Sequence, residues 1–203
     1  MKYQTADALH LQNVSSQLTA GDITRNQAHE AVIDLIMLRL ACPRVSLWRF
    51  DGEPGSLAML CFAAKTTGGE IDVEEKRLQV PEFRDYFDAL INQGTYASND
   101  TFNDPNLQGI RGNYLERHGV MAMLDAAFLV NGRVFGVACC EQIGSTRVWR
   151  ADELTDLRAI VAKVTMLMAS SNDPALWGSR SLPMTPLSES QHADLKRLDQ
   201  RRR

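Results

Sequence analysis

Residues 136–153, GVACCEQIGSTRVWRADE, crowd several chemically capable side chains together: Cys139 and Cys140, Glu141, and the pair Asp152–Glu153 behind Trp149. Neighbouring thiols point to metal or redox chemistry, and paired carboxylates to acid–base catalysis. The spacing argues against both. Adjacent residues on a strand face opposite ways, so Cys139 and Cys140 cannot readily share a metal or close an unstrained disulfide. Two small buried hydrophobes is the simpler reading. Asp152 and Glu153 fall in the first turn of a following helix, where carboxylates favour the helix dipole, and Trp149 packs at its entrance. The run reads as a strand–loop–helix junction.

Other catalytic constellations are missing. His10, His29, His118 and His192 sit in no metal-ligand spacing, and there is no phosphate-binding glycine–lysine loop and no G-x-S-x-G. Ser46, Ser56 and Ser98 have no local base pattern.

The elements that must position any site follow from periodicity. Residues 6–18 suit a short helix, interrupted by Gly21-Asp22. Asp22 or Thr24 can cap the next one, in which Ala28, Ala31, Leu35 and Leu38 recur at helical spacing until Cys42-Pro43 stops it. RVSLWRF (44–50) and SLAMLCFAA (56–64) read as strands joined by the turn DGEPG (51–55), with TTGGEID a loop beyond. Val45 and Leu47 face one way and Trp48 and Phe50 the other, so both faces of the sheet are covered at least in part. Pro81 opens a helix ending at Gly94, TYAS is strand-like, and 99–113 is a long polar loop before a short helix in YLERHG. Two strong strands, 120–130 and 133–141, flank Asn131-Gly132, a strong hairpin signal. A helix from Ala151 to Ser170 follows. This order predicts an α+β fold with an antiparallel sheet.

Composition bounds the partners. The 203 residues are 44% hydrophobic and 23% charged with net charge −3, which fits one packed domain with appendages. A mildly acidic body disfavours nucleic acid and anionic membrane. Lys196, Arg197, Arg201, Arg202 and Arg203 make the terminus basic; a solvated tail is the expected reading. No apolar run approaches the roughly 20 residues of a membrane span, and the start lacks a signal-peptide core. Cys42, Cys61, Cys139 and Cys140 have no framework spacing, which fits reduced thiols in a cytoplasm.

The order of motifs resembles a family. Asn99, Asp100, Asp104 and Pro105 form an ND…DP loop, Tyr114 to Val120 a YLxxxGV entry, Asp125 an acid inside a strand, and Asn131 to Arg133 a hairpin. GVxCxE…R.W..DE closes the series. Together with RVSLWRFD and the helix before it, residues 18–170 resemble a GAF domain, a small-molecule-sensing module of bacterial signalling proteins. The resemblance implies a GAF/PAS-like antiparallel sheet of five to six strands with helices on both faces. With the Pro- and Ser-containing composition beyond Ser171, the chain divides into an N-terminal helical extension at 1–20, the GAF-like domain at 21–170, and a linker and basic tail at 171–203. The terminal helices of such domains often pair between protomers; Leu154, Leu157, Val161, Val164 and Met168, spaced 3, 4, 3, 4, form the matching seam, expected to make a homodimer rather than only to cover the sheet.

The ligand side implied lies under helix 81–93 and loop 99–118. Trp48, Phe50, Tyr86, Phe102, Tyr114 and Met123 are candidate walls, and Asp100, Asp104, Arg111 and Asp125 candidate polar contacts. Asp125, an acid in an apolar strand, needs a partner. Glu141, Gln142, Trp149, Asp152 and Glu153 stand where cyclic-nucleotide-binding members carry an N-K…F…D-E signature; the acids are present and the Asn and Lys are not. No Cys lies between residues 62 and 138 to attach a bilin, and His118, the one candidate haem ligand on the loop side, reads as a solvated loop residue. The expectation is a non-enzymatic, cytoplasmic sensory module that binds an unidentified small molecule and signals through its terminal helices, through a separate output protein. The alternatives are a ligand-free interaction module and an enzyme like the free methionine-(R)-sulfoxide reductases.

Overall fold

The computed structural model describes residues 2–51, 58–70, 77–79, 84–130 and 133–170. The DGEPG turn beyond Asp51, the helix opening at Pro81, the Asn131-Gly132 turn, the Met168 side chain and everything from 171 onward lie outside the described residues.

Helix α1 runs Lys2–Ala20, longer than its sequence suggests. Gly21, with φ +79°, ends it. Helix α2 spans Arg25–Leu40 and is capped by Thr24, not Asp22. The Thr24 hydroxyl accepts from the Gln27 amide at 3.3 Å while the Gln27 side chain accepts from the Thr24 amide at 2.8 Å, a capping box. Ala41 closes the helix in the left-handed region at φ 46°.

Strand β1 (Arg44–Asp51) pairs antiparallel with β2 (Ala58–Thr66) and with β7 (Arg133–Ile143). Strand β6 (Val120–Val130) pairs with β7 and with β5 (Thr95–Ser98). The sequence-predicted loop after β2 holds a further two-residue strand, β3 (Gly69–Glu70), and three-residue β4 (Arg77–Gln79) also joins β2. The order is β3-β2-β1-β7-β6-β5, with β4 beside β2 off that path. Long β6 and β7 meet as far as Val130 opposite Arg133, leaving two residues for their connection.

Gly136 is required by the β1–β7 approach: a Cβ there would lie 2.2 Å from the Trp48 carbonyl oxygen.

Alternation sends side chains to two cores. On one face Val45, Leu47, Leu124, Phe128 and Cys140 pack under α2 and α4 (Ala151–Ser170), with Leu11 of α1 joining them. On the other, Trp48, Phe50, Met123 and Cys139 pack under α3 (Arg84–Gln93), a 3-10 helix at Pro105–Ile110 and a π-helix at Arg111–Glu116. The two-sided apolar pattern of β1 is thereby borne out, and Cys139 and Cys140 do face opposite ways.

The α4 seam has a use within the chain. Leu157, Val161 and Val164 are buried in its own helical core, with Leu154 packed against it. Each fully buried aliphatic side chain of this kind stabilises by about 1.5–3 kcal/mol.

Candidate functional site

The candidate site's side chains lie on the α3 face. Arg44, Ser46 and Trp48 alternate along β1; Met123 and Asp125 along β6; Cys139 and Glu141 along β7. Register sets Asp125 opposite Cys139 and Met123 opposite Glu141, while β5 brings Tyr96 opposite Asp125. Helix α3 lowers Tyr86 from above, and its hydroxyl donates to Asp125 Oδ2 at 2.8 Å. The partner that a buried acid demands is therefore a tyrosine. Burial holds the Asp125 carboxyl well above the ordinary carboxylate range, reinforced by nearby Glu141 and only partly opposed by Tyr86 and Cys139.

One turn of sheet away is a buried ion pair. Arg44 Nε lies 3.0 Å from Glu141 Oε2, and the Tyr114 hydroxyl donates to Glu141 Oε1 at 2.5 Å. Burial alone would depress the Arg44 pKa, but Glu141 and then Tyr114 reverse this, so the guanidinium stays charged. Arg44 is 5.5 Å from the Tyr114 ring centre, and Trp48 meets that ring edge-on at 5.4 Å.

Between these groups is a cavity of about 10 Å³, on the scale of a single water molecule. Trp48, Tyr86, Tyr114 and Met123 line it, as sequence reasoning proposed. Met59, Leu78, Ile110, Cys139 and Glu141 complete the lining. Asp125 sits one step behind, through Tyr86. Phe50 is buried in the same core against Phe87, ring centres 5.0 Å apart, outside the lining.

The four loop candidates do not enter the cavity lining. Asp100 accepts from the Phe102 and Asn103 amides and from the Asn103 side chain, which lowers its pKa. Asp104 caps the 3-10 helix through the Asn106 amide at 3.0 Å and accepts from the Tyr96 hydroxyl at 2.7 Å. The Arg111 guanidinium lies 5.5 Å from the Phe102 ring centre. These residues build the roof above the cavity. Arg44 and Glu141 were not among the sequence candidates; a cue existed, since Arg44 shares the parity of Trp48 and so had to point inward.

The run 136–153 is a strand, a loop and a helix start, as its sequence indicates: its strand part sends Cys139 and Glu141 to the cavity, and its part at 147–153 is held by structural contacts. Arg147 donates to the Leu40 carbonyl at 2.6 Å and the Ala41 carbonyl at 3.2 Å, closing α2. It pairs with Glu153 at 2.5 Å and lies 4.2 Å from the Trp149 ring centre. Glu153 also caps α4 by accepting from the Arg150 amide at 2.8 Å. Asn99 Oδ1 accepts from the Trp149 amide at 3.0 Å, and the Asn99 carbonyl from the Arg147 amide at 3.3 Å.

Thiol chemistry finds no support in the geometry. Burial pushes the Cys139 and Cys140 thiols well up, the reverse of a reactive thiolate. Among the described residues no group of three His, Cys, Asp or Glu could hold a metal. A second and larger cavity, about 40 Å³, lies between α1, α2 and α4, with Ser15 and buried His29 the polar members of a lining otherwise made of apolar side chains such as Leu11, Leu18, Val32 and Val164.

An antiparallel sheet with three long helices on one face and a loop-roofed, polar-laced interior on the other defines a two-faced α+β module. The model of the GAF domain matches residues 25–167, and the chain belongs to the GAF family. Solved structures agree at the level of the fold. The blue-light absorbing form of the Thermosynechococcus elongatus PixJ GAF domain is 21% identical with a TM-score of 0.60, covering 71% of this chain and 84% of that one. A far-red cyanobacteriochrome photoreceptor is 13% identical with a TM-score of 0.62, covering 80% and 94%. The Stigmatella aurantiaca phytochrome photosensory core module is 15% identical with a TM-score of 0.59, covering 81% and 37%. No curated protein matches the sequence. Helix α1 lies outside the matched residues yet packs against α2 and α4.

Proposed function

We propose that this chain is a non-enzymatic, cytoplasmic sensory module whose ligand enters the cavity beneath α3 and the 3-10/π roof, and whose signal leaves through the helical face to a separate output protein. The observation that carries the reading is the buried polar set Tyr86–Asp125 and Arg44–Glu141–Tyr114 around one cavity. Apolar residues would fill that space at lower desolvation cost, and convergent polar groups in an otherwise apolar pocket mark a binding site. Two supports are independent of it: membership of the GAF family, and neighbours in fold that are photoreceptors. Among the described residues no helix is long and apolar enough to cross a membrane.

The expected homodimer is retained with a different surface. Leu157, Val161 and Val164 serve the chain's own core, so pairing through the terminal helices falls to their outward sides, where Leu9, Leu38 and Met166 are exposed. The cavity's small size favours a second reading, a ligand-free interaction module.

Native mass spectrometry under gentle and denaturing conditions separates the two. A small added mass that disappears on denaturation is the expected result. A bare mass from cell extract, unchanged after incubation with a metabolite pool, would favour the ligand-free module.

A further inference from the structure

The larger cavity sits where three helices meet near their ends. Val14 and Leu18 reach it from the C-terminal half of α1, Val32 from the N-terminal half of α2, and Val164 and Leu167 from the C-terminal half of α4. Val14, Val32 and Val164 are buried and form its floor, while Leu18 and Leu167 are only half-buried and form its rim. It is a half-open hollow of about 40 Å³, room for about three waters. A lining so largely apolar holds water poorly, and the same room suits the four-carbon side chain of a leucine.

The chain itself carries an occupant within reach. Helix α4 runs to Ser170, three residues past Leu167. The sequence continues SNDPALWG over 171–178, and Trp177 is the one Phe, Tyr or Trp beyond α4. Pro174 has no amide hydrogen and cannot extend a helix. From Ser170 to Leu176 the chain can span up to about 20 Å. Val164 lies only about 9 Å back along the helix axis from Ser170. The segment is therefore long enough to reverse at Asp173-Pro174 and return beside the last two turns of α4. Apolar residues just past a helix end commonly pack back onto its last turn.

We infer that Leu176 and Trp177 dock into the crevice between α1, α2 and α4, with Leu176 seated in the hollow and the Trp177 indole lying across Leu18 and Leu167 at its rim. The docked segment ties α1, which lies outside the residues matched by the family model, to the end of α4.

The test uses the full chain with methyl-labelled leucine and valine. Nuclear Overhauser contacts are expected from the Trp177 ring to the Leu18 and Leu167 methyls, together with upfield ring-current shifts of those methyls that are lost in Trp177→Ala. Leu18→Glu, which puts a charge on the rim, is expected to speed chymotrypsin cleavage after Trp177 about tenfold by raising the population of the undocked segment. Leu176→Ser lies beyond α4 and gives the same protease comparison if Leu18→Glu does not fold. Methyl positions unchanged in Trp177→Ala, or equal cleavage rates in wild type and variant, overturn the docking. Contacts seen only between differently labelled chains in a mixed sample assign the crevice to a second copy's segment and overturn docking within one chain.

Discussion

Arg44 and Glu141 are register partners across the β1–β7 ladder, and their charged groups meet 3.0 Å apart with side chains almost wholly out of solvent. A pair so placed is costly to break and not costly to replace, because removing one member strands the other charge without water. Glu141→Ala is expected to destabilise the fold by about 3–5 kcal/mol, read as a lowered midpoint in urea unfolding. The double variant Arg44→Met, Glu141→Leu is expected to recover most of that loss; a double variant as unstable as Glu141→Ala would show that the charge pair itself holds the fold.

Asp125 gives the fold a distinct response to pH. Its folded-state pKa is raised, so the unfolded chain releases this proton first as pH rises. The native state then binds one proton more than the unfolded state, and stability falls with rising pH. The contribution is whole below the unfolded value near ~3.9 and is lost at about 1.4 kcal/mol per pH unit until the folded value is reached. Asp125→Asn removes the dependence. Its stability relative to wild type is expected to climb steadily from pH 4 upward in paired urea melts; parallel curves for the two proteins would mean that Asp125 is ionised in the fold.

Gly136 tests the packing of the two central strands. An alanine methyl there would press into the Trp48 carbonyl, which is backbone and cannot rotate aside. Gly136→Ala should cost about 2 kcal/mol or more through separation of β1 from β7, and should loosen Trp48. Thermal unfolding, and the indole emission maximum in a Trp149→Phe, Trp177→Phe background that leaves Trp48 as the one indole, report the two effects separately.

Arg147 joins elements distant in sequence, so its loss should act on both. Arg147→Ala leaves two α2 carbonyls without this donor, removes the charge partner of a buried Glu153 and uncovers Trp149. The expected cost is about 2–3 kcal/mol, with faster amide exchange at the C-terminal turn of α2 and the N-terminal turn of α4. Arg147→Lys should restore the ion pair and not the two carbonyl bonds, recovering only part.

Local chemistry explains what the sequence disclosed. Residues 44–50 and 120–141 combine alternation with β-branched and aromatic side chains, so strands, faces and the opposed orientations of Cys139 and Cys140 were all readable. The cavity walls Trp48, Tyr86, Tyr114 and Met123 were readable once a face was assigned. Asp100, Asp104, Phe102 and Arg111 were misplaced as cavity residues because loop acids serve equally as caps and as ligand contacts, and only the path of the 3-10 and π turns decides. Arg44 escaped notice because a charged residue at a strand start normally reads as solvent-facing. Its burial depends on Glu141, nearly a hundred positions away, a pairing that no local window contains. The 3-4-3-4 pattern of α4 is common to a helix that covers a sheet and one that pairs with a copy, so spacing alone does not distinguish them.

Asn99 holds a mechanical position between the two faces of the sheet. It stands where β5 ends and the roof of the cavity begins, and both its backbone carbonyl and its side chain are tied to the segment that starts α4. The roof and the long helix thus share a pin joint at the sheet's rim. A shift of the segment that begins at Asn99 would pass through these two hydrogen bonds to residues 147 and 149, which lead into α4, by a route that bypasses the sheet.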